Sequence, residues 1–362
     1  MIKLFLTTLA RQLWRNRLYT FLNILGLSVC ISVAWIIFRM TDYEYSYDRK
    51  IPEVERIYQV ISRDKPDDQD ETGGFAGVSR PIFNVLKNEI PGAEQTVPMF
   101  YQNYHHAVIQ GKENEQVRPA KNGEETDIAV VGTTEDYFNV FPHTFIAGNA
   151  RNALDAPDKV VLTDTRAREY FPALRPAEVI GKTITYNDSL VHRVSAVIAA
   201  YDFPNSFETN QEFIPIKKKD LADDLWGGKS SMDLIFIKPA QGASVPEILA
   251  KLNKVNTEHN KESFEKYKYK SWYEVIPVTE KHFETGYEAQ TRTADKKVLN
   301  GLMITAAFLL LLACINYINL STSPAPAESQ RNRDKENAGQ LQKRADRPVY
   351  CGNHGGDLPG SR

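Results

Sequence analysis

At 362 residues, with 44 basic against 46 acidic side chains, the chain can hold two or three compact units and carries almost no net charge. That balance excludes a global basic field of the kind that gathers nucleic acid. Mean hydropathy is that of a soluble protein, so any membrane signal must lie in local segments.

The first predicted element is an amphipathic helix over 1–17. Ile2, Phe5, Leu6, Leu9, Leu13 and Trp14 recur at helical spacing, and Lys3, Arg11, Arg15 and Arg17 supply cations, the pattern of a helix lying on the cytoplasmic lipid surface. From Leu18 to Phe38 no residue is charged. A helix of that length crosses a hydrocarbon core of about 30 Å, so 18–40 is the first transmembrane helix. The run exceeds the ~7–15 apolar residues of a cleaved signal, and it ends in Phe38, Arg39 and Met40 without a small-residue cleavage pattern. It therefore reads as a retained anchor. Basic residues precede it, while Asp42, Glu44 and Asp48 follow, which places the amino terminus in the cytoplasm and 41–297 outside.

Within 41–297, Ile57, Tyr58, Val60 and Ile61 open a strand. Further strands are predicted at Glu94 to Tyr101, Thr126 to Val131, Lys159 to Leu162, Thr183 to Tyr186, His192 to Ala199, Met232 to Ile237 and Trp272 to Val278. Helices are predicted at Pro81 to Glu89, Glu135 to Val140, Asp164 to Tyr170 and Val245 to Asn256. The last has Ser244 as cap, Glu247 completing a capping box, and Ile248, Leu249, Leu252 and Val255 as an apolar stripe. The result is an α+β domain in two lobes. Cys30 and Cys314 fall in the spans and Cys351 in the tail, so the domain carries no disulfide framework. A second transmembrane helix is predicted over 298–322, centred on Phe308 to Leu312, with Asn300, Asn316 and Asn319 suited to its ends or to another helix. The tail, 323–362, is polar and aperiodic and reads as disordered.

Motifs that suggest chemistry are weak. Gly181, Lys182 and Thr183 resemble the end of a phosphate loop, but Pro176 stands where the first glycine would be, and a turn entering a strand fits better. His105 and His106 are adjacent, so on a strand they face opposite ways. Asp67 with Asp68 and Asp223 with Asp224 read as solvated loop charge. With no nucleophile elbow and no cysteine between the two spans, no catalytic, cofactor-binding or metal residues and no cofactor are assigned.

Four stretches carry a family resemblance. The opening LARQLWRNRLYTFLNILGLSV leads into DYEYSYDRKIPEVERIYQV. There follow VVGTTEDYFNVFPHTFIAGNARNALDAPDKVVLTDTRAREYF, with VIGKTI after it, and ACINYINLST. Together they resemble the FtsX-like permeases of ABC transporters whose outer part is a MacB-like periplasmic core domain, over about Met1 to Thr322. The resemblance implies an α+β periplasmic core between two transmembrane helices of the bacterial inner membrane. It implies a permease dimer, a separate cytoplasmic ABC ATPase subunit, a periplasmic fusion protein as further partner, and contact with membrane lipid. ATP-driven motion would be passed to the periplasmic domain while this chain hydrolyses nothing, and Trp14, Arg15, Asn16 and Arg17 would lie near the ATPase. The alternative is a two-span sensor with an extracytoplasmic ligand-binding domain, which 40 polar residues after the second span ill suit. A membrane-tethered hydrolase comes third.

Resemblance stops after Ser321 and Thr322. Permitted codons for Glu328 to Gly339, read one base later, give KAKEIGIRKTLG, which resembles the basic segment such permeases carry after their second span. The same frame continues through Pro359 toward a third span. The tail is therefore expected to be an out-of-frame translation that truncates the permease, and the nucleotide sequence of the locus checks this.

Overall fold

The computed structural model describes residues 14, 17–68, 70–111, 116–117, 120–121, 124–222, 225–285 and 292–322. The surface helix of 1–17 and the tail of 323–362, with its frame, lie outside the described residues apart from Trp14 and Arg17.

The chain divides into two units, 1–39 with 301–362, and 40–300. In the first lie most of α1 (Arg17–Tyr45) and α9 (Lys296–Thr322). Phe21–Tyr45 and Lys296–Ile318 are long and apolar enough to cross a membrane, and only 6% and 17% of their apolar windows are buried. Leu22, Ile36, Phe308 and Ile318 stand exposed, as lipid-facing side chains do. A Cβ at Gly26 would sit 3.9 Å from Asn316 Nδ2, an ordinary contact distance, so the Asn316 amide lies beside the α1 surface at this position.

The second unit is a mixed α/β domain. Its strands are β1 (Tyr58–Pro66), β2 (Gly73–Phe75), β3 (Gln95–Tyr104), β4 (Ala107–Ile109), β5 (Gln116–Val117), β6 (Ala120–Lys121), β7 (Glu124–Glu125), β8 (Ile128–Thr133), β9 (Phe145–Ala147), β10 (Lys159–Thr163), β11 (Thr183–Tyr186), β12 (Leu190–Ile198), β13 (Glu212–Pro215), β14 (Asp233–Lys238) and β15 (Tyr269–Pro277). Its helices are α2 (Pro81–Asn88), α3 (Tyr137–Val140), α4 (Asp164–Tyr170), α5 (Pro176–Val179), α6 (Lys218–Leu221), α7 (Val245–Tyr267) and α8 (Val278–Lys281). One sheet runs β15-β1-β14-β3-β8-β13-β10-β12-β11-β4-β5, with β2 beside β1 and β9 beside β12. The lobes are thus two ends of one continuous sheet. Most pairings are antiparallel, but β10 runs parallel to β12 and β8 to β13.

At the first end both faces of the sheet are covered. Side chains alternate along a strand, so on β14 Phe236 packs with Val97, Met99 and Phe141, while Ile235 and Ile237 meet Phe100, Leu86 and Leu252. Double burial is why this strand reads as a nearly continuous apolar run. The other end is closed by α4 and α5 over Val160, Leu162, Val194 and Val197.

α7 extends eleven residues beyond the predicted Asn256, to Tyr267. The added turns have no apolar stripe but are rich in Lys and Glu, good helix formers, and the helix stops where Lys268 turns left-handed (φ 51°). Ser244 Oγ accepts from Glu247 N at 3.4 Å. α7 also seals the margin of the sheet. Asn253 donates to Tyr273 O (2.9 Å) and accepts from Tyr273 N (2.7 Å), and Asn256 donates to Ser271 O (2.9 Å). Asn260 in turn braces Asn256 Oδ1 at 2.9 Å. Three outward backbone groups of β15, the N–H and C=O of Tyr273 and the C=O of Ser271, are thereby paired by side chains.

Candidate functional site

The residues with most at stake electrostatically lie where the last turn of α1 and the first turn of α9 enter the 40–300 unit. Glu44, the penultimate residue of α1, is 3% exposed. Its Oε2 meets His282 Nε2 at 2.6 Å, and Arg292 Nη2 donates to its Oε1. His282 is itself buried, and its ring stacks on Tyr47 at 3.6 Å between centroids. A carboxylate taken out of water must be paired; here the partners come from just after α8 and from the approach to α9.

One turn on, Asp48 is fully buried in a left-handed conformation (φ 61°) that Asp tolerates better than most residues. It accepts from Ser206 N (2.7 Å) and Ser206 Oγ (2.6 Å), and its own N–H donates to Pro204 O at 3.0 Å. Burial pushes the Asp48 carboxyl up, against the pull of the Ser206 bonds. Lys281, also buried, faces the same region; desolvation lowers its ammonium to about 8, opposed by Asp48. Tyr45 Oη donates to Asn300 Oδ1 (3.2 Å), and its ring meets Phe283. Lys296 pairs with Glu280 and lies over the Phe283 ring. The end of α1, the loop at 204–206, α8 and the start of α9 are thereby fastened at one point.

Short ionic and hydrogen-bonded contacts thus tie these segments together. Lys281 gives the joint a measurable pH signature. A folded-state pKa lowered from 10.5 to about 8 means that between these values the unfolded chain binds the extra proton. Stability then rises with pH across that window and is lost as pH falls through about 8. Thermal unfolding of the full chain is expected to show this rise, of at most about 3 kcal/mol, and Lys281→Met to abolish it.

Other motifs land elsewhere. Gly181 (φ 83°) donates to Val194 O at 2.8 Å in the turn before β11, so Gly181 to Thr183 is a strand entry. His105 and His106 sit in the bend between β3 and β4, not on a strand, and pair apart with Asp127 (2.9 Å) and Asp188 (3.0 Å). Among the described residues no three His, Cys, Asp or Glu side chains converge as metal ligands do. Asp67 and Asp68 are exposed, while Asp223 and Asp224 lie outside the described residues. Sequence reasoning used Glu44 and Asp48 only as flanking charges; their one available signal was membership of the stretch DYEYSYD.

The profile of the MacB-like periplasmic core domain matches residues 20–255. Among solved structures, a domain of a permease protein from Porphyromonas gingivalis is similar at TM-score 0.49 and 19% identity, covering 71% of this chain and 100% of that one. The periplasmic region of MacB from Actinobacillus actinomycetemcomitans follows at 0.40 and 14%, covering 64% and 91%. The extracellular domain of the ABC-type transporter YknZ from Gram-positive bacteria gives 0.38 and 14%, covering 60% and 99%. No curated protein matches the chain.

Proposed function

The chain belongs to the MacB-like periplasmic core domain family, and from that premise we propose that it is a permease subunit of an ABC transporter. The amino terminus is cytoplasmic, 18–40 and 298–322 span the inner membrane, and 41–297 is periplasmic. A separate cytoplasmic ATPase, bound to a permease dimer, hydrolyses ATP, and the chain passes the resulting motion to its periplasmic domain without catalysis of its own. The observation that carries this reading is the Glu44 junction. It holds the exit of one apolar helix and the entry to the other in the same buried ionic cluster, so a displacement of either helix end reaches the sheet directly through β15 and the 204–206 loop.

Orientation is tested by single-cysteine labelling in intact cells, in a background lacking Cys30, Cys314 and Cys351. A cysteine at Ser189 is expected to react with a membrane-impermeant maleimide and one at Thr8 to stay protected. The reverse pattern would overturn the proposed topology.

A further inference from the structure

Where the 40–300 unit meets the proposed spans, three cations are left over. Arg49 and Lys50 follow the end of α1, and Lys297 is the second residue of α9, next to Val298 where the apolar run begins. Tyr45 Oη reaches Asn300 Oδ1 at 3.2 Å, so the end of α1 stands level with the first turn of α9. Arg49, Lys50 and Lys297 are exposed, and among the described residues none of them makes an ion pair. Arg49 commits its Nε to Tyr45 O at 2.8 Å, which leaves both Nη groups without a partner. Lys50 only overlooks the Phe203 ring, 5.9 Å from its centroid. Lys296 and Arg292, nearby in the chain, are already held by Glu280 and Glu44.

The Arg49–Lys50 pair sits on a fixed turn. Buried Asp48 precedes it, tied through its N–H to Pro204 O and through its carboxylate to Ser206. Ile51 follows it, 2% exposed, and donates its N–H to Asp48 O at 3.0 Å. Two neighbouring cations on a turn pinned at both ends lose little freedom on meeting an anion. Guanidinium and ammonium groups bind phosphate through charge-assisted hydrogen bonds. Beside the ends of two apolar helices, the phosphate within reach is that of a lipid headgroup.

Charge narrows the headgroup. Asp202, next to Phe203 in the chain, and Glu208 are exposed and make no ion pair among the described residues. Asp42 has a partner of its own, and Asp295 Oδ1 accepts from Lys297 N at 2.7 Å. The carboxylates at 202 and 208 repel a headgroup whose net charge is negative and suit one that carries an ammonium beside its phosphate. Donation to a carboxylate further requires N–H groups, which a primary ammonium has and a quaternary one lacks. We propose that Arg49 and Lys50 hold the phosphate of a phosphatidylethanolamine headgroup, with its ammonium at Asp202 and Lys297 adding to the attraction. The proposal rests on the two spans and holds whichever side of the membrane the domain faces.

The test uses the full chain reconstituted in vesicles. Resistance to carbonate extraction checks the spans first: extraction would overturn them, and the proposal with them. Electron spin resonance with spin-labelled phosphatidylethanolamine, phosphatidylcholine and phosphatidylglycerol of identical acyl chains then reads the relative association of each lipid with the embedded chain. Phosphatidylethanolamine is expected to associate about fivefold more strongly than phosphatidylcholine, the worth of one exposed charge-assisted contact, and more strongly than phosphatidylglycerol. Arg49→Gln with Lys50→Gln is expected to abolish the preference, and Asp202→Asn to bring phosphatidylglycerol up to phosphatidylethanolamine. Equal association of the three lipids, a preference for phosphatidylglycerol in the unaltered chain, or an undiminished preference in the double variant overturns the proposal. Lys50→Gln alone, which gives up no hydrogen bond, is expected to weaken the preference and decides the case if the double variant does not fold.

Discussion

Glu212→Ala is expected to destabilise the domain by about 3 kcal/mol, an estimate taken from single-partner removals in buried ion pairs. Glu212 on β13 is fully buried; it accepts from Tyr170 Oη at 2.6 Å and from Tyr186 Oη, and Arg166 Nε lies 3.0 Å away. Burial pushes its carboxyl up, while Arg166 and the two tyrosyl donors hold it down. Truncation leaves two buried hydroxyls and a mostly buried guanidinium short of an acceptor, although Arg166 keeps Glu169 at 2.6 Å. At ~2–4 °C per kcal/mol for a domain of this size class, the midpoint falls by roughly 6–12 °C. Thermal unfolding followed by near-ultraviolet circular dichroism reads this. The triple change Glu212→Leu, Tyr170→Phe, Tyr186→Phe is expected to recover most of the loss, because it removes donors together with their acceptor. A single Glu212→Ala chain with an unshifted midpoint would sink the account of this cluster.

Glu44→Ala is the larger perturbation for coupling. It removes the shared acceptor of His282 and Arg292 and leaves a buried imidazole whose Nδ1 already has no hydrogen-bond partner among the described residues. Arg292 is 59% exposed and can rehydrate, so the expected cost is local, about 2–4 kcal/mol. Amide hydrogen exchange at 278–285 and 292–300 should then accelerate roughly 30- to 1,000-fold, with little change in β3 or β14. Arg292→Gln, which loses only the half-exposed partner, is expected to show a smaller acceleration. Exchange in Glu44→Ala that matches the unaltered chain would mean the junction bears no load, and the mechanical role proposed for it would fall with that result.

What could be read before folding follows from how local each signal is. The two apolar helices and β14 are legible because lipid or double burial demands uninterrupted apolar sequence over a long enough run. Thr183 to Tyr186 and Asp164 to Tyr170 match the observed elements residue for residue, since alternation and a Thr163 cap are contained within a few positions. β13 was missed: four residues give too short a pattern, and its Glu212 looks solvated until Arg166 and two tyrosines arrive from distant strands and helices. The junction was invisible for the same reason. Glu44 and Arg292 are 248 positions apart, and a lone acidic residue after an apolar run carries no mark of burial.

The asparagines that α7 lays along β15 bear on how such chains live together. Molecules confined to a membrane plane meet at high local concentration and in a fixed orientation, conditions that favour templated polymerisation from any open strand. With the Tyr273 N–H and C=O and the Ser271 C=O already held by side-chain amides, that flank offers a neighbour an interrupted template, so crowding in the bilayer can bring chains side by side there with less tendency to weld them into a fibre.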